Sequence, residues 1–330
     1  MFVGNRLHGV LLAEPRVAEQ FAARAQLQAM LDVEVALAEA EAEVGVVPES
    51  CVEPIRTAAC ADLYDHRALA VDVAHVGIPA VGVVRHLNAQ VAAADPAAAR
   101  YVHWGATSQD IMDTGLVLQL RAAVAVVCEY LANAADAAAD LTRRYADAPM
   151  AGRTWLQQAT PVSFGLKAAG WLDALDRTRR RVDVALDDAQ VLQFGGATGT
   201  LASLGSEGPA VADELARRLC LRTADTPWHA HRDRLAQLGC TLGVATGAVG
   251  KIARDLGLMA QTEVREAWEQ PVDGRGGSST MPHKQNPVGT SVALAAATRV
   301  PGLVATVLGA MQHEHERGLG AWQAEWDALP

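Results

Sequence analysis

From residue 16 to residue 44 the chain carries neither glycine nor proline, and the run ends at Gly45 with Pro48 just beyond. That is the stop signal of one long helix. Shorter helices are predicted over 51–61, 65–75 and 79–94. Across 110–145 the apolar positions Leu120, Val124, Val127, Leu131, Ala134, Ala138, Leu141 and Tyr145 advance in alternating steps of four and three. Such steps draw the seam of a helix packed in a bundle. At 1.5 Å per residue this helix would be roughly 55 Å long. A second seam runs from Leu235 through Leu242 and Val249 to Met259. A looser stripe over 163–190 includes Leu172, Leu175, Val182 and Leu186, and a fourth apolar helix begins after Pro287. No alternating strand of useful length appears. The pattern predicts an all-α, elongated long-helix bundle whose exposed apolar flanks favour self-association.

The polar, glycine-rich and proline-rich strings fall between these helices, at 101–109, 149–161, 194–208 and 270–287. With long antiparallel helices, alternate loops lie at opposite ends. One chain alone is therefore not expected to gather all four, whereas neighbouring chains can.

Composition narrows the classes. Half of the 330 residues are hydrophobic and 5% aromatic, which suits packed helices better than sandwiches or barrels. A net charge of -10 argues against general affinity for nucleic acid or anionic membranes. An anionic substrate would need a local cationic pocket. Five scattered cysteines have no metal or redox spacing and are expected to be reduced and buried, in a cytoplasmic protein. The N-terminus lacks a signal-peptide pattern, and no run of about 18 uncharged apolar residues marks a membrane span.

Candidate chemistry sits in the loops. The string Gly276-Gly277-Ser278-Ser279-Thr280-Met281-Pro282-His283-Lys284-Gln285-Asn286-Pro287 combines flexible glycines, hydroxyls, one fixed cation and an amide. The helix start that follows presents free N–H groups and suits an anion. On its residues alone it reads either as a mobile anion-binding segment with a proton-transfer hydroxyl or as a linker. Thr107 and Ser108 read as a helix cap beside His103. Arg153 can bind a carboxylate through both guanidinium nitrogens or form a surface salt bridge. The string 194–200 is a glycine-rich turn without the Gly-Lys-Ser/Thr ending of a phosphate loop. The histidines and glutamates of 313–316 suggest a metal cluster but lack His-Glu-x-x-His spacing, so no metal is expected. Arg317 and Glu325, eight residues apart, could face a site from one helix side.

Ser278-Ser279-x-Met281-Pro282-x-Lys284-x-Asn286 resembles the signature of the fumarase/aspartase superfamily, which includes argininosuccinate and adenylosuccinate lyases. The four loops resemble the superfamily's separate motif regions in the correct order, over nearly the whole chain. The resemblance implies an N-terminal helical domain over 1–110 and a central long-helix bundle over 111–330, incomplete at its C-terminal end. The small C-terminal helical domain of the family would lie beyond Pro330. It further implies a homotetramer with sites shared between chains, and no cofactor.

Trp155 departs from the histidine that fumarase-like and adenylosuccinate-lyase-like sequences carry there. The tryptophan form is similar to the cycloisomerase branch, which reversibly closes a tricarboxylate diene to a carboxy-muconolactone in aromatic (protocatechuate) catabolism. Around 72–79 the chain also departs from the family's Gly-Asn string. By resemblance Ser278 transfers the proton, while Lys284 and Asn286 hold the carboxylate beside it. Arg153 and Arg317 hold the others. Thr107, Ser108, Gln157, Thr198 and Ser279 complete the hydrogen bonding, Trp155 and Met281 line the substrate, and His103 orients or relays. A fumarate-releasing lyase and an inactive helical scaffold are the rival readings.

Overall fold

The structure, a computed structural model, describes residues 9–270, 272, 274–278, 280–281 and 283–330. It is a helical bundle, as the seams predicted. The helices are α1 (Gly9–Leu12), α2 (Pro15–Gln20), α3 (Ala23–Val44), α4 (Val52–Ala58), α5 (His66–Val76), α6 (Pro79–Ala94), α7 (Ser108–Arg144), α8 (Phe164–Ala189), α9 (Gly208–Leu219), α10 (Asp233–Met259), α11 (Val288–Gly309) and α12 (Ala321–Ala328). The seam residues Leu120, Val124, Leu131 and Ala138 of α7 are buried, as are Leu235, Leu238, Ala245 and Met259 of α10. α7 packs along α8, and α10 packs along both α8 and α11.

A second apolar cluster, around Leu31, Ile55, Leu87 and Ile111, is built by α3, α4, α6 and the start of α7. α3 serves both clusters: Leu31 lies in this one and Leu37 in the bundle core. Each such leucine, fully withdrawn from water, contributes about 1.5–3 kcal/mol.

The long helix expected over 16–44 breaks between α2 and α3. Phe21 leaves the helical conformation (φ -109°, ψ 7°) and is buried in the bundle core. α3 ends as predicted, with Gly45 left-handed at φ +84°. α9 was not anticipated, and α12 starts later than the helix side expected to carry both Arg317 and Glu325.

The expectation of no strand is corrected by an antiparallel hairpin of β1 (Pro149–Thr154) and β2 (Gln157–Ser163). Its two-residue turn, Trp155 and Leu156, has both φ values positive, at 53° and 62°. That is the primed-turn geometry that matches strand twist. A bulge at Gly152 lets the strands close, since a Cβ there would meet the Thr160 carbonyl at 2.5 Å.

Two further expectations change. α7, α10 and α11 are each long and apolar enough to cross a membrane by length and composition. They were passed over because isolated charges interrupt their apolar runs. Half of the most apolar stretch of α7 is buried within the chain, against 6% of that of α11. Of the five free cysteines, Cys51 is buried, whereas Cys60 and Cys220 are exposed.

Candidate active site

The first turn of α7 gathers one group of the expected residues. Thr107 is the N-cap, and the carboxylate of Asp110 three residues on accepts the Thr107 N–H at 2.9 Å. This is one half of a capping box, but the carboxylate does more. It also accepts the N–H groups of Gly195 (3.0 Å) and Gly196 (2.9 Å) and lies 2.7 Å from Nε2 of His229. Thr107 and Ser108 are thereby brought against the glycine-rich turn that carries the exposed Thr198. Arg317 donates from Nη2 to the Gly196 carbonyl at 2.9 Å, while its Nε is buried without a hydrogen-bond partner.

His103, at φ +62°, places Nδ1 2.7 Å from Oε1 of the buried Glu34 on α3. Burial works against the charged ring. The charge and hydrogen bond of Glu34 outweigh it and raise the imidazole above its ordinary pKa.

One helical turn further along, Asp113 accepts both terminal nitrogens of Arg232, at 2.6 and 3.0 Å, and Nε1 of Trp322 at 3.1 Å. Arg232, 2% exposed, also grips Glu325 on α12, with Nη2 2.6 Å from Oε2. Glu325 is thus a buried strut and does not face a site beside Arg317. The two are not on one helix, because α12 begins at Ala321. Burial raises the Glu325 carboxyl despite Arg232.

A second group lies elsewhere. Arg153 on β1 makes two 2.7 Å hydrogen bonds to Glu266, so the salt-bridge alternative describes it in this structure. Those bonds hold the Glu266 carboxyl below its usual range. Trp155 is 95% exposed at the hairpin tip, and Gln157 opposes Thr154 across the turn.

The signature string folds back on itself through a Gly277–Gln285 bridge and an Asn286 N–H donated to the Gly276 carbonyl at 2.8 Å. Ser278 Oγ accepts the N–H groups of Met281 (3.1 Å) and Thr280 (3.4 Å). Met281 is 41% exposed, and Lys284 and Asn286 are exposed. Both line a cleft of about 480 Å³ with Arg265, Trp268 and Glu269. The proposed role of Ser279 falls on a residue outside the described ones.

One expectation for this string is corrected. The helix begins after Pro287 as expected, but its start is already occupied by an anion of the protein itself. Glu269 accepts the N–H groups of Gly289 (3.1 Å) and Thr290 (2.6 Å). Burial alone would raise its pKa, but those amides and Arg275 hold it below the usual value.

The two groups stand at opposite ends of α10, whose 27 residues span roughly 40 Å. Thr107, Ser108, Thr198, His103 and Arg317 share the end near His229 and Arg232. Ser278, Lys284, Asn286 and the hairpin, tied in by Glu266, share the other.

Residues 11–302 match the sequence model of a protein family described as lyase. The chain belongs to this lyase family. It is 54% identical over 310 residues to 3-carboxy-cis,cis-muconate cycloisomerase of Pseudomonas aeruginosa, covering 94% of this chain and 68% of that protein. The crystal structure of 3-carboxy-cis,cis-muconate lactonizing enzyme from Pseudomonas putida superposes with a TM-score of 0.94 at 49% identity, covering 99% of this chain and 72% of that one. A fumarate lyase from Mesorhizobium sp. BNC1 superposes with a TM-score of 0.88 at 38% identity, covering 98% and 72%. The expected membership of the fumarase/aspartase superfamily and its helical fold hold.

Several residues that organise this candidate site were not visible in the sequence. Glu34, Glu266 and Glu269 orient or neutralise the expected cations and amides, and Asp110 and His229 join two loops. Asp110 was readable only as a cap. The others carry no local signal, since their partners lie 20 or more residues away. Among the described residues no group of three or more His, Cys, Asp or Glu is set to hold a metal ion.

Proposed function

We propose that this protein is a 3-carboxy-cis,cis-muconate cycloisomerase that reversibly closes its tricarboxylate substrate to 4-carboxymuconolactone. The observation that carries the choice of substrate is the 54% identity to the Pseudomonas aeruginosa enzyme. Trp155, where fumarase-like members carry histidine, supports the same choice, because an indole cannot relay a proton.

In lactonisation one substrate carboxylate oxygen forms a bond to an alkene carbon. The π pair moves to the neighbouring carbon beside another carboxylate, and that carbon takes a proton. Ser278 supplies the proton in this direction and removes it in the other. A serine hydroxyl is a poor acid and base unless its alkoxide is stabilised. The Met281 and Thr280 amides already donate to its Oγ, which favours the anionic form. The Lys284 ammonium has no ion pair or hydrogen bond among the described residues, and with Asn286 it holds the carboxylate on which charge develops. Arg153 exchanges Glu266 for a substrate carboxylate, and Arg317 holds the third. Thr107, Ser108, Gln157, Thr198 and Ser279 hydrogen-bond the substrate beside Trp155 and Met281. His103, whose ring Glu34 holds above its ordinary pKa, orients the substrate or relays a proton.

Because the two groups lie roughly 40 Å apart along α10, this reading requires chains that share sites, as a homotetramer in the cytoplasm. The exposed apolar flank of α11 supports burial against neighbouring chains. The reading also divides the chain into an N-terminal helical domain, 1–110, and a central bundle, 111–330; the two apolar clusters support that division.

Ser278→Ala is expected to abolish loss of the diene absorbance of 3-carboxymuconate while helix content and substrate binding persist. Near-normal turnover by this variant would remove Ser278 from the mechanism. Turnover of adenylosuccinate or argininosuccinate in place of carboxymuconate would overturn the substrate.

A further inference from the structure

We propose that Asp110 and His229 are positioning residues, a buried clamp that fixes two substrate-facing turns against each other. The site roles it serves rest on the reading above, but the clamp itself rests on geometry. A carboxylate 1% exposed receives four donors: the N–H groups of Thr107, Gly195 and Gly196, and Nε2 of His229, all at 2.7–3.0 Å. An ionised carboxylate only accepts, so the ring hydrogen resides on Nε2. Two of the amides belong to one turn, and the third lies 88 residues earlier in the chain.

The backbones approach as closely as glycine allows. A Cβ on Gly196, which sits at φ +69°, would meet the Gly105 carbonyl at 2.9 Å. One on Gly195 would meet Cε1 of His229 at 2.9 Å and Pro227 at 2.7 Å. Arg317 is carried along, because Gly196 is its carbonyl partner. The clamp therefore sets the spacing of Thr107, Ser108, Thr198 and Arg317 together. These groups hold substrate and do not themselves transfer the proton, so loosening them weakens binding more than proton transfer. His229 is the exchangeable member: its side chain is 3% exposed and supplies one donor, which a glutamine amide can also supply.

The test compares His229→Leu, His229→Gln and Asp110→Asn in the full chain, once each variant is shown to assemble as the parent does. Losing a hydrogen bond to a charged group is expected to raise KM for 3-carboxymuconate roughly 10- to 100-fold in His229→Leu, with kcat changed less. Asp110→Asn turns an N–H toward other N–H groups and is expected to lose at least as much. His229→Gln is expected to recover most of the loss. Amide hydrogen exchange in the same leucine variant should accelerate at 105–109 and 194–201 and stay unchanged elsewhere. Parental KM and parental exchange in both His229→Leu and Asp110→Asn would overturn the proposal. So would exchange that rises evenly through the chain, the mark of a packing role, or a glutamine variant no better than leucine. A parent protein inert toward carboxymuconate whose variants still loosen at those two turns would overturn the substrate and leave the clamp standing.

Discussion

Glu41 offers a test of electrostatics away from the candidate site. It lies on α3, is fully buried, and neither carboxyl oxygen has a hydrogen-bond partner. Burial, with the charge of Glu34 one heptad away, pushes its pKa from 4.5 up to about 9. The folded chain therefore holds a proton that the unfolded chain releases above about pH 4.5. A raised folded pKa contributes stability that is full below the unfolded value and is lost as pH rises through the folded one. At pH 7 the proton uptake costs about 3 kcal/mol, a pKa unit being about 1.4 kcal/mol. Glu41→Gln keeps the shape, is neutral in both states and removes that cost.

Urea unfolding followed by circular dichroism, at fixed protein concentration from pH 5 to pH 9, measures the difference. The variant should match the parent near pH 4.5 to 5. Its advantage should grow by about 1.4 kcal/mol per pH unit, the slope for one linked proton. Stabilities that run parallel from pH 5 to pH 9 would show that Glu41 keeps its ordinary pKa and would refute the reasoning.

Arg232→Met leaves Asp113 and Glu325 buried without their cation. It should cost about 3–5 kcal/mol in urea unfolding at pH 7, less in acid, where Glu325 with its raised folded pKa takes a proton; a loss under about 1 kcal/mol would contradict the strut. Glu269→Gln should cost roughly 1 kcal/mol at neutral pH. Because the folded pKa of Glu269 is lowered, its contribution is present above the unfolded value and fades as pH falls, so the variant should also show a flatter acid limb. Mixed and reassembled Ser278→Ala and Arg317→Met chains, each inactive alone, should recover about a quarter of the sites if one site draws its two ends from different chains; a mixture no better than its parts would place both ends in one chain.

The long helices were legible because a 3.5-residue period persisted over eight apolar positions in α7 and again in α10, and because Gly45 and Thr107 mark ends by local chemistry. The hairpin was not. Its turn is Trp155-Leu156 where Asn-Gly would have announced it, and both faces of β2 are largely exposed, so no alternation arises. The break at Phe21 was hidden for a related reason: a core position for one ring outweighs helix propensity that the sequence displays without interruption. At the candidate site, short strings supplied the groups proposed to meet substrate. Their partners could not be named, because Glu34 lies 69 residues from His103, and Glu266 lies 113 from Arg153. Contacts across such separations leave no local periodicity.

The helix start after the signature string shows how one buried partner reassigns chemistry. Read locally, free N–H groups at the start of α11 would bind a substrate carboxylate. Glu269 takes the Gly289 and Thr290 amides, so a substrate anion would first have to displace a carboxylate already attached to the chain. Such a ligand pays no loss of translational freedom to bind. In the proposed function, charge recognition at this end passes to side chains, to Lys284 in the cleft and to Arg153 once it releases Glu266. Both contacts place the protein's own carboxylates where a substrate carboxylate would rest under that proposal, and the Arg153 side chain remains 30% exposed. The proposed substrate would compete for Arg153 against a partly solvated salt bridge, which contributes little by itself. Glu269 occupies the helix start, and the signature string presents a hydroxyl held by two amides beside one ammonium without a partner among the described residues.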